Sequence, residues 1–484
     1  METKKSNNQG LLRIFPESGL RERLPLRYRG FKSVLLAGLA AFCAADAAEM
    51  HGQERVPPVV PALFGAIQVN EPNHDRWATA LVDAGLDAVQ VTLYARQQEW
   101  NGSELHWDRA APWVVSEIRA AQRAGLNVTL VMRVALEHGL EANRHLWHGM
   151  IWPRDDVVDS WFASYAEFVA WGAQIAADES VDLFTIANEL SSMTSTRVVT
   201  ELPDLYAYYA DNERTAIVDD RLAACATRVR AAGHESDLVE LDGGRFPDLE
   251  SLLAEATRRR AAWVMEVAPT LARFNVRRQG HEAAWRELIA GVRDIYTGPL
   301  AYGANFDQFE EVGFWDDLDA VGVTAYFPLS EYGADRAAQA ARMRDRWAAI
   351  ATRLDALGRP VFLVELGWTR KLGATVRPYS YSRVEVLETV GGSELTCVHW
   401  ASQPLEPFER VRALVSLAEV VESGAFTALR GLSMWKLSTN PNHRDIEPFV
   451  AILGAPMGGV AEDHADREYL AAVARIRSAV LSRR

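Results

Sequence analysis

Leu183-Phe184-Thr185-Ile186-Ala187-Asn188-Glu189-Leu190 is a short apolar run that ends in an amide and a carboxylate. A strand buried between two layers of helix needs such a continuous run, not an alternation of apolar and polar residues. Seven further runs of this kind lie on either side of it. Upstream are Leu63-Phe64-Gly65-Ala66-Ile67, Ala88-Val89-Gln90-Val91-Thr92-Leu93 and Val128-Thr129-Leu130-Val131. Downstream are Leu300-Ala301-Tyr302, Ala320-Val321-Gly322-Val323, Val361-Phe362-Leu363-Val364 and Gly431-Leu432-Ser433-Met434.

Helical spacing fills the intervals. Phe162, Tyr165, Val169, Gly172 and Ile175 share one helical face, as do Leu288, Val292 and Ile295 within 284–296. Gly125 and Gly358 stand where helices should stop before the next strand. Eight strands interleaved with helices predict an α/β fold, a TIM (β/α)8 barrel. A doubly wound open sheet is the alternative, but the chain has no G-x-G-x-x-G turn to serve it. One interval is too long for a minimal barrel. Residues 191–280, between the fourth and fifth strands, predict a helical insertion with helices at 212–232 and 249–271 and an irregular patch at Asp242-Gly243-Gly244. The insertion would sit either above the barrel mouth or against its outside.

Composition narrows the function. A 49% hydrophobic and 24% charged chain of 484 residues fits a folded enzyme. Its net charge of −14 argues against a nucleic-acid partner. With no metal-ligand spacing and no phosphate loop, no cofactor is expected. The N-terminus differs from the rest: Arg21, Arg23, Arg27, Arg29 and Lys32 precede an apolar core at 33–45, followed by Ala45-Asp46-Ala47-Ala48. That order is the grammar of an export signal. Residues 1–48 therefore predict either a cleaved signal peptide or a signal anchor, the core being shorter than the roughly 20 residues of a spanning helix. The remaining domain, 49–484, would be periplasmic or extracellular, released or tethered to the membrane. Bulky Phe42 before Cys43 disfavours lipidation, and Cys225 and Cys397 read as apolar filler.

In a TIM barrel the chemistry lies at the C-terminal ends of the strands. Two strands here lead into a glutamate, Glu189 and Glu365, on what would be the fourth and seventh strands. Either alone could cap a helix or form a salt bridge. Together they can converge across the barrel mouth, as the carboxylate pair of a retaining glycosidase must, about 5–5.5 Å apart. The 15 tryptophans fit a carbohydrate ligand, with Trp147, Trp368 and Trp435 near predicted strand ends.

The chain resembles clan A glycoside hydrolases, most of all glycoside hydrolase family 113, whose described members are largely β-1,4-mannanases. The resemblance is carried by Trp285-Arg286-Glu287-Leu288-Ile289, Tyr302-Gly303-Ala304-Asn305, Phe314-Trp315-Asp316-Asp317-Leu318-Asp319 and Gly322-Val323-Thr324-Ala325-Tyr326-Phe327-Pro328. Trp147-His148-Gly149, Trp161-Phe162-Ala163-Ser164-Tyr165 and Glu365-Leu366-Gly367 add to it. It implies a retaining β-glycoside hydrolase acting on a polysaccharide or oligosaccharide, with β-1,4-mannan favoured. Glu189 would be the acid/base and Glu365 the nucleophile. Asn188 would bond the sugar 2-hydroxyl, Tyr326 would donate to the nucleophile, and Trp435 would floor the sugar subsite. Asn305 and Gln97 would be further substrate contacts. The chain departs from the family pattern at Met132-Arg133, where the family shows Pro-His, and at His148, where it shows Arg. Arg133 would either meet an acidic sugar or bridge to a barrel glutamate. A non-catalytic carbohydrate-binding or exopolysaccharide-assembly protein is the rival reading. The intact Glu189, Glu365, Asn188 and Tyr326 stand against it.

Overall fold

The computed structural model describes residues 58–484, except 138–139, 144–145, 204–205, 207–232, 234–235, 237, 242–243, 268–269, 332–334, 377, 379–384, 389–393, 399–403 and 484. The N-terminal leader, Cys43, Cys225 and the helix expected at 212–232 lie outside the described residues. No helix among the described residues is long and apolar enough to cross a membrane.

All eight apolar runs form strands, and most extend past the expected end. They are β1 (Leu63–Gln68), β2 (Ala88–Gln97), β3 (Asn127–Leu136), β4 (Leu183–Asn188), β5 (Leu300–Asn305), β6 (Ala320–Thr324), β7 (Val361–Leu366) and β8 (Leu429–Ser438). Each pairs in parallel with its neighbours, and β8 returns to β1, closing a (β/α)8 barrel. The longer helices among the described residues are α1 (His74–Asp83), α2 (Pro112–Arg123), α3 (Val158–Asp178), α4 (Leu249–Val267), α5 (Leu271–Arg293), α6 (Arg336–Asp355), α7 (Pro407–Glu422) and α8 (Ala461–Leu481). Between β5 and β6 the chain makes only two 3₁₀ turns, Phe309–Glu311 and Trp315–Asp317. Gly125 and Gly358 stop α2 and α6 with φ of 78° and 67°, the left-handed conformation that glycine adopts without strain.

The core positions the catalytic end of β4. Trp161 and Tyr165 of α3 stack 4.9 Å apart, and Trp285 of α5 meets Tyr165 at 5.5 Å. The polar ends of these rings reach inward: Tyr165 Oη donates to Ile186 O (2.9 Å) and Trp285 Nε1 to Met193 O (2.8 Å). Glu189 is thus bracketed by two backbone carbonyls that buried aromatics hold in place.

The insertion differs from the expected helical block. Residues Leu238–Leu241 and Gly244–Phe246 are antiparallel strands, and the first pairs in parallel with Glu394–Val398, which pairs antiparallel with Glu385–Glu388. Of the patch read as irregular, Gly244 begins a strand, and Asp242 and Gly243 lie outside the described residues. The helix expected at 249–271 ends instead at Val267. Pro269 cannot continue a helix, and Thr270 starts α5 by accepting a hydrogen bond from Arg273 N. The helical face expected at 284–296 is the second half of α5. Insertion helix α4 docks on the turn after β3, where Trp263 Nε1 donates to Met150 O (2.9 Å).

Candidate active site

The site grows from the C-terminal ends of β3, β4, β6, β7 and β8. Asn188 and Glu189 close β4, and both are buried. Glu189 takes φ of 52°, a left-handed conformation uncommon for a non-glycine residue. Its backbone N–H is anchored on Gly303 O of β5 (2.8 Å). Gly303 is required here, because a Cβ at that position would strike Asn188 Oδ1 and Val364. The Asn188 amide is thereby free to turn toward β7.

Glu365 is only 2% exposed and accepts three hydrogen bonds. Asn188 Nδ2 and Arg133 Nη1 donate to Oε1, both at 2.8 Å, and Tyr326 Oη donates to Oε2 at 2.9 Å. Arg133, pointing in from β3, also donates through Nη2 to Glu189 Oε2 (3.2 Å). His148 Nε2 lies 2.9 Å from that same Glu189 oxygen. One planar guanidinium therefore bridges both carboxylates, one through each terminal nitrogen. Of the two alternatives for Arg133, the chain uses the bridge, and it bridges to both glutamates. The Arg133 Cζ also lies 5.5 Å from the centre of the Trp435 ring, whose other cationic neighbour is Lys436, with Nζ at 4.2 Å.

Two carboxylates facing one buried cation leave one negative charge in excess. Burial and the Glu189 charge push Glu365 up to about 7, against the pull of Arg133, Tyr326 and Asn188. Burial pushes Glu189 up as well, but the His148 hydrogen bond and the Arg133 charge outweigh it and hold Glu189 down at about 2. The two carboxyls thus share one proton, with Glu365 pushed up and Glu189 pushed down. At Glu189 the pairing with Arg133 and His148 outweighs the effect of burial.

Of the eleven residues singled out from the sequence, eight are brought together: Glu189, Glu365, Asn188, Tyr326, Arg133, His148, Trp435 and Trp147. Trp147 joins through an edge contact to the His148 ring at 5.1 Å. Asn188 bonds the Glu365 carboxylate, where a sugar hydroxyl was expected. Three are placed elsewhere. Gln97 is fully buried; its Nε2 donates to Glu99 O, Trp100 O and Gly102 O, and its Oε1 accepts from Trp161, so it braces the loop after β2. Trp368 is fully buried with its ring against Trp347 and Tyr469, a core residue of the barrel's outer layer. Asn305 donates to Asp307 (2.8 Å) and accepts from Thr324 (3.1 Å), supporting the site from behind. Sequence reasoning missed Lys436, whose signal was a lone charge inside an otherwise uncharged stretch directly after Trp435. Among the described residues, no group of His, Cys, Asp and Glu could hold a metal ion.

The sequence model of Glycoside Hydrolase Family 113 matches residues 68–199 and 274–392. The gap between the two segments falls on the insertion. The first segment contains Arg133, His148 and Glu189 and the second Tyr326 and Glu365, while Trp435 and Lys436 lie beyond both. Among solved structures, the chain is similar to a GH113 β-1,4-mannanase at 16% identity and a TM-score of 0.50, covering 85% of this chain and 99% of that one. It is also similar to the GH113 β-mannanase of Alicyclobacillus acidocaldarius in complex with ManMIm, at 17% identity and a TM-score of 0.49, covering 86% and 98%. No curated protein matches the sequence.

Proposed function

Because the chain belongs to glycoside hydrolase family 113, we propose that it cleaves β-1,4-linked mannan-type chains with retention of configuration, Glu365 acting as nucleophile and Glu189 as acid/base. The observation that carries this reading is the single guanidinium joined to both carboxylates, at 2.8 and 3.2 Å. It supports retention because two carboxylates gripped by one side chain suit the short spacing of a retaining pair, about 5–5.5 Å, better than the wider gap of an inverting one. The mannan assignment rests on the names of the structural relatives.

In the first step the ionised Glu365 attacks the anomeric carbon while the proton of the pair, now on Glu189, passes to the departing oxygen. Tyr326, Asn188 and Arg133 hold the nucleophile in line. Once the glycosyl ester forms, Glu365 loses its charge, and Arg133 acts on Glu189 alone. Glu189 is then more strongly ionised and accepts a proton from the incoming water. Arg133 thus suits Glu189 to base work once the ester has formed. The basic, apolar and small-residue order of the N-terminus supports export of the enzyme, either cleaved from its leader or held by it.

The test is a 2-fluoro mannoside with an activated leaving group, followed by peptide mass analysis, alongside release of sugars from β-1,4-mannan. Labelling is expected on Glu365. Glu189→Gln and Glu365→Gln are each expected to lose about 10³-fold or more in turnover, with melting temperature retained. A label elsewhere, or a tenth of the activity surviving in either variant, overturns the assignment.

A further inference from the structure

Lys436 is the unexplained charge of the site. It follows Trp435 on β8, is half-buried, and rests its ammonium 4.2 Å from the centre of the Trp435 ring. Among the described residues no carboxylate comes within ion-pair distance of it. Two buried carboxyls, Glu117 and Glu447, act on it only from beyond ion-pair distance. Burial pushes both upward, Glu117 to about 7, against the pull of Lys436 itself. Arg133, by contrast, is matched by two carboxylates. An ammonium that is partly stripped of water and faces no anion is unfavourable. An aromatic face returns only part of that cost.

We propose that Lys436 selects a glycan carrying a carboxylate, a β-linked hexuronate, in the sugar position next to Trp435. The inference rests on the proposed function, with Trp435 as the floor of the sugar subsite that the family resemblance implies. A hexuronate offers an apolar C–H face to the indole and an anionic group at its edge, where an ammonium lying on the same ring can meet it. β-1,4-Linked mannuronate has the backbone of β-1,4-mannan with a carboxylate at C6, so it fits both the family's chemistry and the unmatched charge. The guanidinium of Arg133 is already engaged by Glu189 and Glu365, which leaves Lys436, among the described residues that meet Trp435, as the cation available to the substrate.

The test compares β-1,4-mannohexaose with the β-1,4-mannuronate hexamer on the full chain, Lys436→Met and Lys436→Arg, at low ionic strength. The wild type is expected to prefer the uronate by tenfold or more in kcat/KM. Lys436→Met is expected to lose roughly 10- to 100-fold on the uronate, mainly through KM, and to change less than twofold on the neutral hexamer. Lys436→Arg should retain most of the preference. A wild type with no uronate preference, or a Lys436→Met loss equal on both substrates, overturns the proposal, the latter because it marks a structural role. Should the wild type cleave neither hexamer, the hydrolase reading fails. Calorimetric binding of the same two hexamers to wild type and Lys436→Met then decides the inference alone: a uronate preference that Lys436→Met abolishes upholds it, and equal binding overturns it.

Discussion

Two buried arginines organise this barrel, and their surroundings differ in charge. Arg410, fully buried on α7, pairs with Asp466 of α8, and its Nη1 donates to Phe449 O (2.8 Å) and Val450 O (3.1 Å). Around it Arg444 contacts Asp466 and Asp463, and Arg370 contacts Glu462. Three guanidiniums face three carboxylates, and Ile452 N adds a further donor to Asp466. Arg133 faces two carboxylates, one of which also meets the imidazole of His148 at 2.9 Å. The first cluster is neutral as a unit and fastens α8 and the β8 loop to the barrel. The second has one permanent cation for two carboxylates, so its neutrality depends on a proton. A buried ion cluster with balanced charge is built for structure, while one with a deficit is available for chemistry.

The largest test of this contrast is Asp466→Ala. Removing one partner strands Arg410 and Arg444 in the interior, and about 3–5 kcal/mol of stability should be lost in denaturant titrations. Turnover should be unchanged wherever the protein remains folded. A variant that keeps its stability but loses activity would break the comparison. Arg133→Met should act chiefly on turnover, which is expected to fall by roughly 10²-fold or more, because the stranded carboxyls can take up protons whereas Arg410 and Arg444 cannot shed theirs.

The pH–rate profile sharpens the second case. In the wild type the shared proton leaves as pH rises through about 7, so activity should fall on that alkaline limb. Without the guanidinium charge both carboxyls hold protons more tightly, and the limb should move to higher pH. A limb that stays in place counts against a shared cation.

The smallest effect is on stability. Glu117, Glu311 and Glu365 are each raised by burial to about 7. A carboxyl raised on folding contributes stability that is full below its unfolded value and is lost as pH rises through its folded value. Melting temperature should therefore decline by a few degrees between pH 6 and pH 8. A flat profile over that range would mean that these carboxyls are not held neutral.

The barrel was legible because parallel strands between helices leave long apolar runs, and all eight were found on that signal alone. The two glutamates were legible because each follows such a run. What sequence could not show was direction. Trp368 lies three residues beyond Glu365, yet its ring turns outward against Trp347 and Tyr469. Gln97 ends β2 as Arg133 lies within β3, but its amide is consumed by loop carbonyls. The small mixed sheet was invisible because it pairs Leu238 with Glu394, segments that share no local pattern. The location of the proton was invisible for a related reason. It depends on Arg133 and His148 meeting Glu189, and they come from different segments of the chain.

The left-handed backbone of Glu189, with φ of 52°, sets folding and turnover against each other at one residue. A residue held there carries strain on the order of 1–3 kcal/mol, which asparagine or glycine would relieve. In a descendant freed from the need to cut sugar, this is the position where decay would make the molecule sturdier. An asparagine or glycine in place of Glu189 in a related barrel would therefore mark an enzyme that has retired from catalysis.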